Sequence, residues 1–188
     1  KVVSGGNFHG EAIAMAMDYL AIGAAELNSI CERRIEKMMD PHFSDLPHFL
    51  IDNSGLNSGL MIAHVTVAAL ASENKIYAHP ASVDSIPTST DKEDHVSMGV
   101  TAGLKLSTIL ENLSTSLAIE ILCNCQAIDF LAPLKTSKVL TEVHKLIRNH
   151  VPTIVEDRVF QIDIQKIKTL IDNGEILRIV KKHIGEMA

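Results

Sequence analysis

Tryptophan is absent from these 188 residues, and only five phenylalanines and two tyrosines supply aromatic bulk. With aromatics at 4%, the interior has to be built from Ile, Leu, Val, Ala and Met, which suits closely packed helices. Cysteine is scarce too: Cys31, Cys123 and Cys125 make an odd count that fits a reducing, cytoplasmic setting better than a disulfide framework. One residue between Cys123 and Cys125 is a poor metal spacing with no second pair beside it, so no metal site is expected and both read as half-buried helix residues. Positive charge falls short, 17 Lys and Arg against 23 Asp and Glu. With no basic stripe interleaved with aromatics, this argues against nucleic acid and against an anionic membrane surface as partners. No unbroken apolar run approaches the roughly 20 residues that cross a bilayer, and no signal-peptide pattern opens the chain. An initiator Met is missing as well. Lys1 to Ser4 reads as a strand running into the turn Gly5-Gly6, so the expectation is a chain that begins in mid-fold, with processing of a complete protein as the alternative.

What is present is helical periodicity. At 46% apolar the chain can bury a core. From Glu11 to Met39 apolar residues recur at Ile13, Met17, Leu20, Ala24, Leu27, Ile30 and Ile35, giving a long helix stopped by Asp40-Pro41. His42 to Leu56 reads as an ordered loop. Ser58 to Lys75 is a second helix, rich in small residues (Ala63, Ala68, Ala69, Ala71) that let a neighbour approach. Tyr77 to Asp94 is a long polar segment with Pro80 and Pro87, and such loops within compact folds usually carry function. A third long helix is expected from Glu93–Val96 to Leu131 along Met98, Leu104, Ile109, Leu113, Leu117, Ile119 and Leu122, with Asp91 and Asp94 as caps. Shorter amphipathic helices follow at Ser137–His150, Asp163–Asn173 and Gly174–Lys182. The class is all-α, a bundle of long helices whose length favours assembly across subunits. The expected division is 1–135, a long-helix segment carrying the polar loop, and 136–188, the short C-terminal helices.

Three constellations could carry chemistry. Gly5-Gly6-Asn7-Phe8-His9-Gly10-Glu11 places Phe8 and His9 at the mouth of a helix; the plainer reading is a glycine-rich connection with a structural Phe. The doubled Asn-Ser-Gly at 53–55 and 57–59 invites comparison with a self-cyclising tripeptide, but reads as turn and cap chemistry, with Met61 a soft apolar residue beyond it. Asp91-Lys92-Glu93-Asp94-His95 puts three acids in four positions. In isolation that is a solvated acidic cap, whereas one acid partly buried in a cleft could act as a base or hold a cation.

Together the stretches SGGNFHGE, ERRIEKMMD, LPHFL, NSGLNSGLMIAHVTVAALASENK, AHPASVDSIPTS and EDHVSMG resemble the histidine ammonia-lyases, a branch of the aromatic amino acid lyase family, strongly to about Leu122 and more weakly beyond. The resemblance implies the C-terminal part of the long-helix bundle that this family shares with fumarase and aspartase. It implies non-oxidative deamination of L-histidine to trans-urocanate and ammonia, as in histidine catabolism. The electrophile would be a 4-methylidene-imidazol-5-one (MIO) formed from Ala-Ser-Gly. That tripeptide does not occur here and, with the family's tyrosine base, would lie upstream of Lys1, so this piece alone is expected to be inactive.

On the same basis Glu93 is the catalytic candidate, placed to hold the substrate imidazole or move a proton. Phe8 and Met61 line the substrate pocket, and Asn7 and His9 support it from behind. Where the family shows Gln, this sequence has Lys92, a cation that would weaken Glu93 as a base if it pointed inward. The implied assembly is a homotetramer with pockets shared between subunits. Two alternatives are a non-catalytic helical assembly module and a lyase of the same family acting on another aromatic amino acid. A fumarase or argininosuccinate type of lyase is disfavoured, because its serine-rich loop GSSxMPxKxN is absent.

Overall fold

The computed structural model describes residues 1–3 and 6–185, and the side chain of Asn7 lies outside the described residues. Its α-helices are α1 (Glu11–Met39), α2 (Pro41–Ser44), α3 (Met61–Tyr77), α4 (Gly99–Phe130), α5 (Lys138–His150), α6 (Phe160–Asp172) and α7 (Glu175–Ile184). Two 3-10 helices, Gly6–His9 and His48–Leu50, break the connections. No strand occurs among the described residues, and the one expected at the N-terminus is not formed: residues 1–3 have no regular structure. A strand needs a hydrogen-bonding edge, and an all-helical surrounding offers none.

α1 has the expected bounds. Gly10, at φ 71, makes the turn that lets the carbonyl of Gly10 receive the N–H groups of Ile13 and Ala14. The start of α4 is corrected. Residues 93–97 are not helical, Met98 sits at φ 54, and the helix begins at Gly99, so Asp91 and Asp94 do not cap it. Ser97 does so instead, its Oγ accepting the N–H of Gly99 at 3.2 Å. The loop at 42–56 is partly helical, α2 being capped by Asp40, which accepts the N–H of His42 at 3.0 Å.

The chain divides into two compact units, residues 1–29 with 70–113 and residues 30–69 with 114–188. The second unit holds the larger hydrophobic core, built on Ile35, Leu50, Leu60, Ile119, Leu122 and Ile147, with α5, α6 and α7 packed on one another. Polar anchors organise it. Gln126 donates to the carbonyls of Leu50 and Ile154 and accepts from Ile154 N–H, so one buried amide fixes two loops. The carboxylate of Asp157 takes the N–H groups of Ser58 at 2.7 Å and Gly59 at 2.8 Å, just before α3. The second Asn-Ser-Gly is thus occupied in a turn, as its residue types suggested. Gly59 is required there: at φ 55 a Cβ would stand 2.6 Å from the carbonyl oxygen of Phe49. The cysteines are more deeply buried than expected. Burial pushes the thiols of Cys31 and Cys123 well above the ordinary range and that of Cys125 up to about 11.

In the first unit the buried side of α1 is Ala14, Asp18, Ala21, Ala24 and Asn28. This overturns the expected core stripe in part: Ile13, Leu20 and Leu27 are 65%, 53% and 57% exposed. Small and polar residues face inward and the large apolar ones outward. α4 shows the same at Val100 and Leu104, while Ile109 and Leu113 are buried as expected. By length and composition α4 could also cross a membrane, the one such helix among the described residues. Half of its most apolar window is buried inside the protein, which accounts for its hydropathy as a core helix.

Candidate active site

Within the first unit, the segment 78–98 is tied to the N-terminal end of α1 by a set of specific contacts. The anchor is Asp18, 3% exposed on α1. One carboxylate oxygen accepts the N–H groups of Ala81 at 2.8 Å and Ser82 at 2.7 Å. The other meets Lys105 Nζ of α4 at 3.2 Å, and the same ammonium donates to the carbonyl of His79. Burial pushes the Asp18 carboxyl up, but the hydrogen bonds from Ser82 and the charge of Lys105 outweigh it, and the group ends below its ordinary value. The anchor thereby fixes where the polar segment leaves α3.

At its far end the segment doubles back. Thr88 and Glu93 form an antiparallel bridge, N–H to carbonyl at 3.0 and 3.3 Å, and Ser89, Thr90 and Asp91 between them all have positive φ. Three consecutive left-handed non-glycine residues are costly, and such backbone persists where surrounding contacts over-determine it. Those contacts lie just downstream. Val96 N–H donates to Ser85 Oγ at 3.0 Å, His95 Nε2 lies 3.3 Å from Glu11, and Ser97 Oγ donates to the carbonyl of His9 at 2.6 Å.

This scaffold delivers Glu93 to His9. Glu93 Oε2 is 2.7 Å from His9 Nε2, and both side chains are partly shielded. Phe8 sits beside the pair, its ring edge-on to His9 with centroids 5.4 Å apart, and is 89% exposed. Of the sequence candidates, Phe8, His9 and Glu93 therefore come together. Lys92 is exposed, and among the described residues the partner of Glu93 is His9. Asp91 and Asp94 are exposed, so only Glu93 of the three acids is put to use. Met61, the half-buried first residue of α3, belongs to the second unit. Asp18 and Lys105 are not among the sequence candidates. Their signal is nonetheless present: Asp18 lies four and three residues from Ala14 and Ala21, on the small-residue side of α1.

A chemically usable site is thus one carboxylate with one oxygen engaged, an imidazole holding it, and an exposed aromatic face. Similarity to known proteins identifies the family. The family model described as aromatic amino acid lyase matches residues 1–149. The chain belongs to the aromatic amino acid lyase family. A histidine ammonia-lyase of Anaeromyxobacter sp. is 52% identical over 174 residues, covering 93% of this chain and 34% of the relative. That of Pseudoalteromonas atlantica is 53% identical over 183 residues, covering 97% and 36%. Among solved structures, the histidine ammonia-lyase from Trypanosoma cruzi superposes with a TM-score of 0.92 at 53% identity, over 97% of this chain and 36% of that one. A tyrosine aminomutase from Streptomyces globisporus reaches 0.91 at 34% identity, over 97% and 35%. The chain spans about a third of the length of the curated relatives it matches.

Proposed function

We propose that these residues form the C-terminal portion of a histidine ammonia-lyase, a cytoplasmic enzyme of histidine catabolism that converts L-histidine to trans-urocanate and ammonia. The observation that carries the reading is identity above 50% to histidine ammonia-lyases along nearly the whole chain, against 34% to the tyrosine aminomutase. The presence of Glu93 with an oxygen available is the chemistry the reading needs. An ionised carboxylate is a pure acceptor, suited to a ring N–H of imidazole and able to favour its charged form. Phe8 offers the exposed aromatic wall against which a planar group can pack. Met61 is assigned to the substrate pocket and Asn7 to its support, both by their places in the family motifs.

The family's electrophile, MIO, activates the substrate for loss of ammonia. The resemblance places Phe8 beside such a group, and the second Asn-Ser-Gly is not free to supply it: Gly59 is clamped beneath Phe49, and the N–H groups of Ser58 and Gly59 are held by Asp157. Ala-Ser-Gly is absent from these 188 residues, so the group would come from the rest of a complete protein.

We assign this chain a place in a homotetramer. The support is the family resemblance, with the outward display of Ile13, Leu20, Leu27, Val100 and Leu104 as apolar residues that a neighbouring subunit or the rest of the complete chain would cover. The alternative of another aromatic substrate draws on Lys92, but that side chain is exposed, and among the described residues the partner of Glu93 is His9.

The reading is tested by adding L-histidine to the complete protein and to the 188-residue chain, and following urocanate absorbance. The complete protein is expected to turn over and the chain alone to be silent. A complete protein that ignores L-histidine but deaminates L-tyrosine or L-phenylalanine would overturn the substrate assignment. Turnover by the chain alone would overturn the account of the electrophile.

A further inference from the structure

We propose that His9 is the positioning residue for Glu93, committing one carboxylate oxygen and leaving the other for a ring N–H of the substrate, so that the His9–Glu93 pair together selects a donor-bearing ring over a phenyl ring. The proposal rests on the reading of Glu93 given above.

The geometry points to His9 through its constraints. Its Nε2 is 2.7 Å from Glu93 Oε2, and no described donor engages Oε1. A carboxylate facing one ring nitrogen favours the tautomer that carries the proton there, so Nε2 donates whether the imidazole is neutral or charged. The backbone that carries the ring is held in place. The His9 carbonyl accepts from Ser97 Oγ at 2.6 Å, Ser97 is buried and also receives the N–H of Gly99 at 3.2 Å, and Phe8 packs edge-on against the imidazole. Glu93 is fixed from its own side by the backbone bridge to Thr88. Both partners are therefore held by their backbones before a substrate arrives, which is what a pre-organised acceptor requires.

The consequence concerns specificity. With Oε2 occupied, the remaining oxygen can only accept, and a substrate ring without a donor leaves it desolvated and unpaired. Sites built to hydrogen-bond a substrate group reject analogues lacking it by up to about 10⁴- to 10⁵-fold. If His9 merely filled space, any residue of similar bulk would serve.

The test uses the complete protein with His9→Gln, His9→Asn and Glu93→Gln, measuring kcat and KM for L-histidine and L-phenylalanine. A Gln amide nitrogen reaches where Nε2 stands, whereas an Asn amide nitrogen stops where Nδ1 stands and falls short of Glu93. His9→Gln is expected to keep most of the wild-type kcat/KM for L-histidine. His9→Asn is expected to lose about tenfold or more, mainly through KM, and to narrow the preference over L-phenylalanine. In a Glu93→Gln background, His9→Asn should add no further loss, because the two act as a unit. If Gln and Asn behave alike, or if Asn is fully active while Glu93→Gln is impaired, His9 does not position Glu93, and the reading of Glu93 survives. If Glu93→Gln is itself unimpaired, that reading fails instead.

Discussion

Individual carboxylates in this chain have been given different tasks by their surroundings. Glu93, Asp91 and Asp94 share one short acidic run, yet only Glu93 is turned onto a partner, His9 at 2.7 Å, by the bridge to Thr88. Asp18 is buried and structural. It accepts two backbone N–H groups and an ammonium, so Asp18→Ala should destabilise the protein by about 3 kcal/mol, measured by denaturant melts, since breaking a buried pair strands its partners. Its folded carboxyl lies below the ordinary value of 3.8. A depressed carboxyl contributes stability that is complete above the unfolded value and disappears as pH falls through the folded one. Wild type should therefore lose stability below about pH 4 more steeply than Asp18→Asn, and parallel acid profiles would contradict this assignment. The three buried thiols, all shifted upward, should resist alkylation in the native protein at pH 8 and react after unfolding.

The helices show which of these features a sequence can carry. α1 is legible to both ends because Asp40-Pro41 stops it and a turn glycine starts it, and α5 to α7 fall within a few residues of their expected bounds. The start of α4 is not legible. Acidic residues at Asp91 and Asp94 imitate a cap, but ion pairs from Glu93 and His95 and the buried hydroxyl of Ser97 keep 93–97 out of the helix. The pattern on α1 misleads for another reason. Periodicity finds the large apolar residues, and here the side that packs within the chain is Ala14, Asp18, Ala21, Ala24 and Asn28. Of the site, Phe8, His9 and Glu93 are visible through motif resemblance, whereas the Asp18–Lys105 anchor requires knowing which side of α1 is buried. Ahead of α3, Gly59→Ala should cost about 2 kcal/mol or more, because the residue is left-handed and its Cβ would collide with the Phe49 carbonyl. Thermal melting checks it, and an unchanged midpoint would refute the turn assignment.

At the scale of the molecule, Ile13, Leu20, Leu27, Val100 and Leu104 are exposed on these 188 residues, an apolar display that the rest of the complete chain or a neighbouring subunit would cover. The complete protein should run as a tetramer by light scattering. Leu20→Glu together with Leu104→Glu should shift it toward smaller species while leaving the larger core of Ile35, Leu60, Ile119 and Leu122 in place. A tetramer indifferent to both charges would move the interface elsewhere. Sharing of pockets between subunits would then make activity fall with assembly, and not with folding.

The central claim is that this chain brings to a histidine ammonia-lyase the carboxylate that receives the substrate's imidazole. Its most direct test is the rate of urocanate formation from L-histidine by the complete protein and its Glu93→Gln variant, measured side by side with their thermal midpoints. The account predicts a fall in turnover of about a hundredfold or more, with stability changed by less than about 0.5 kcal/mol. Near-equal rates in two equally folded proteins would contradict it.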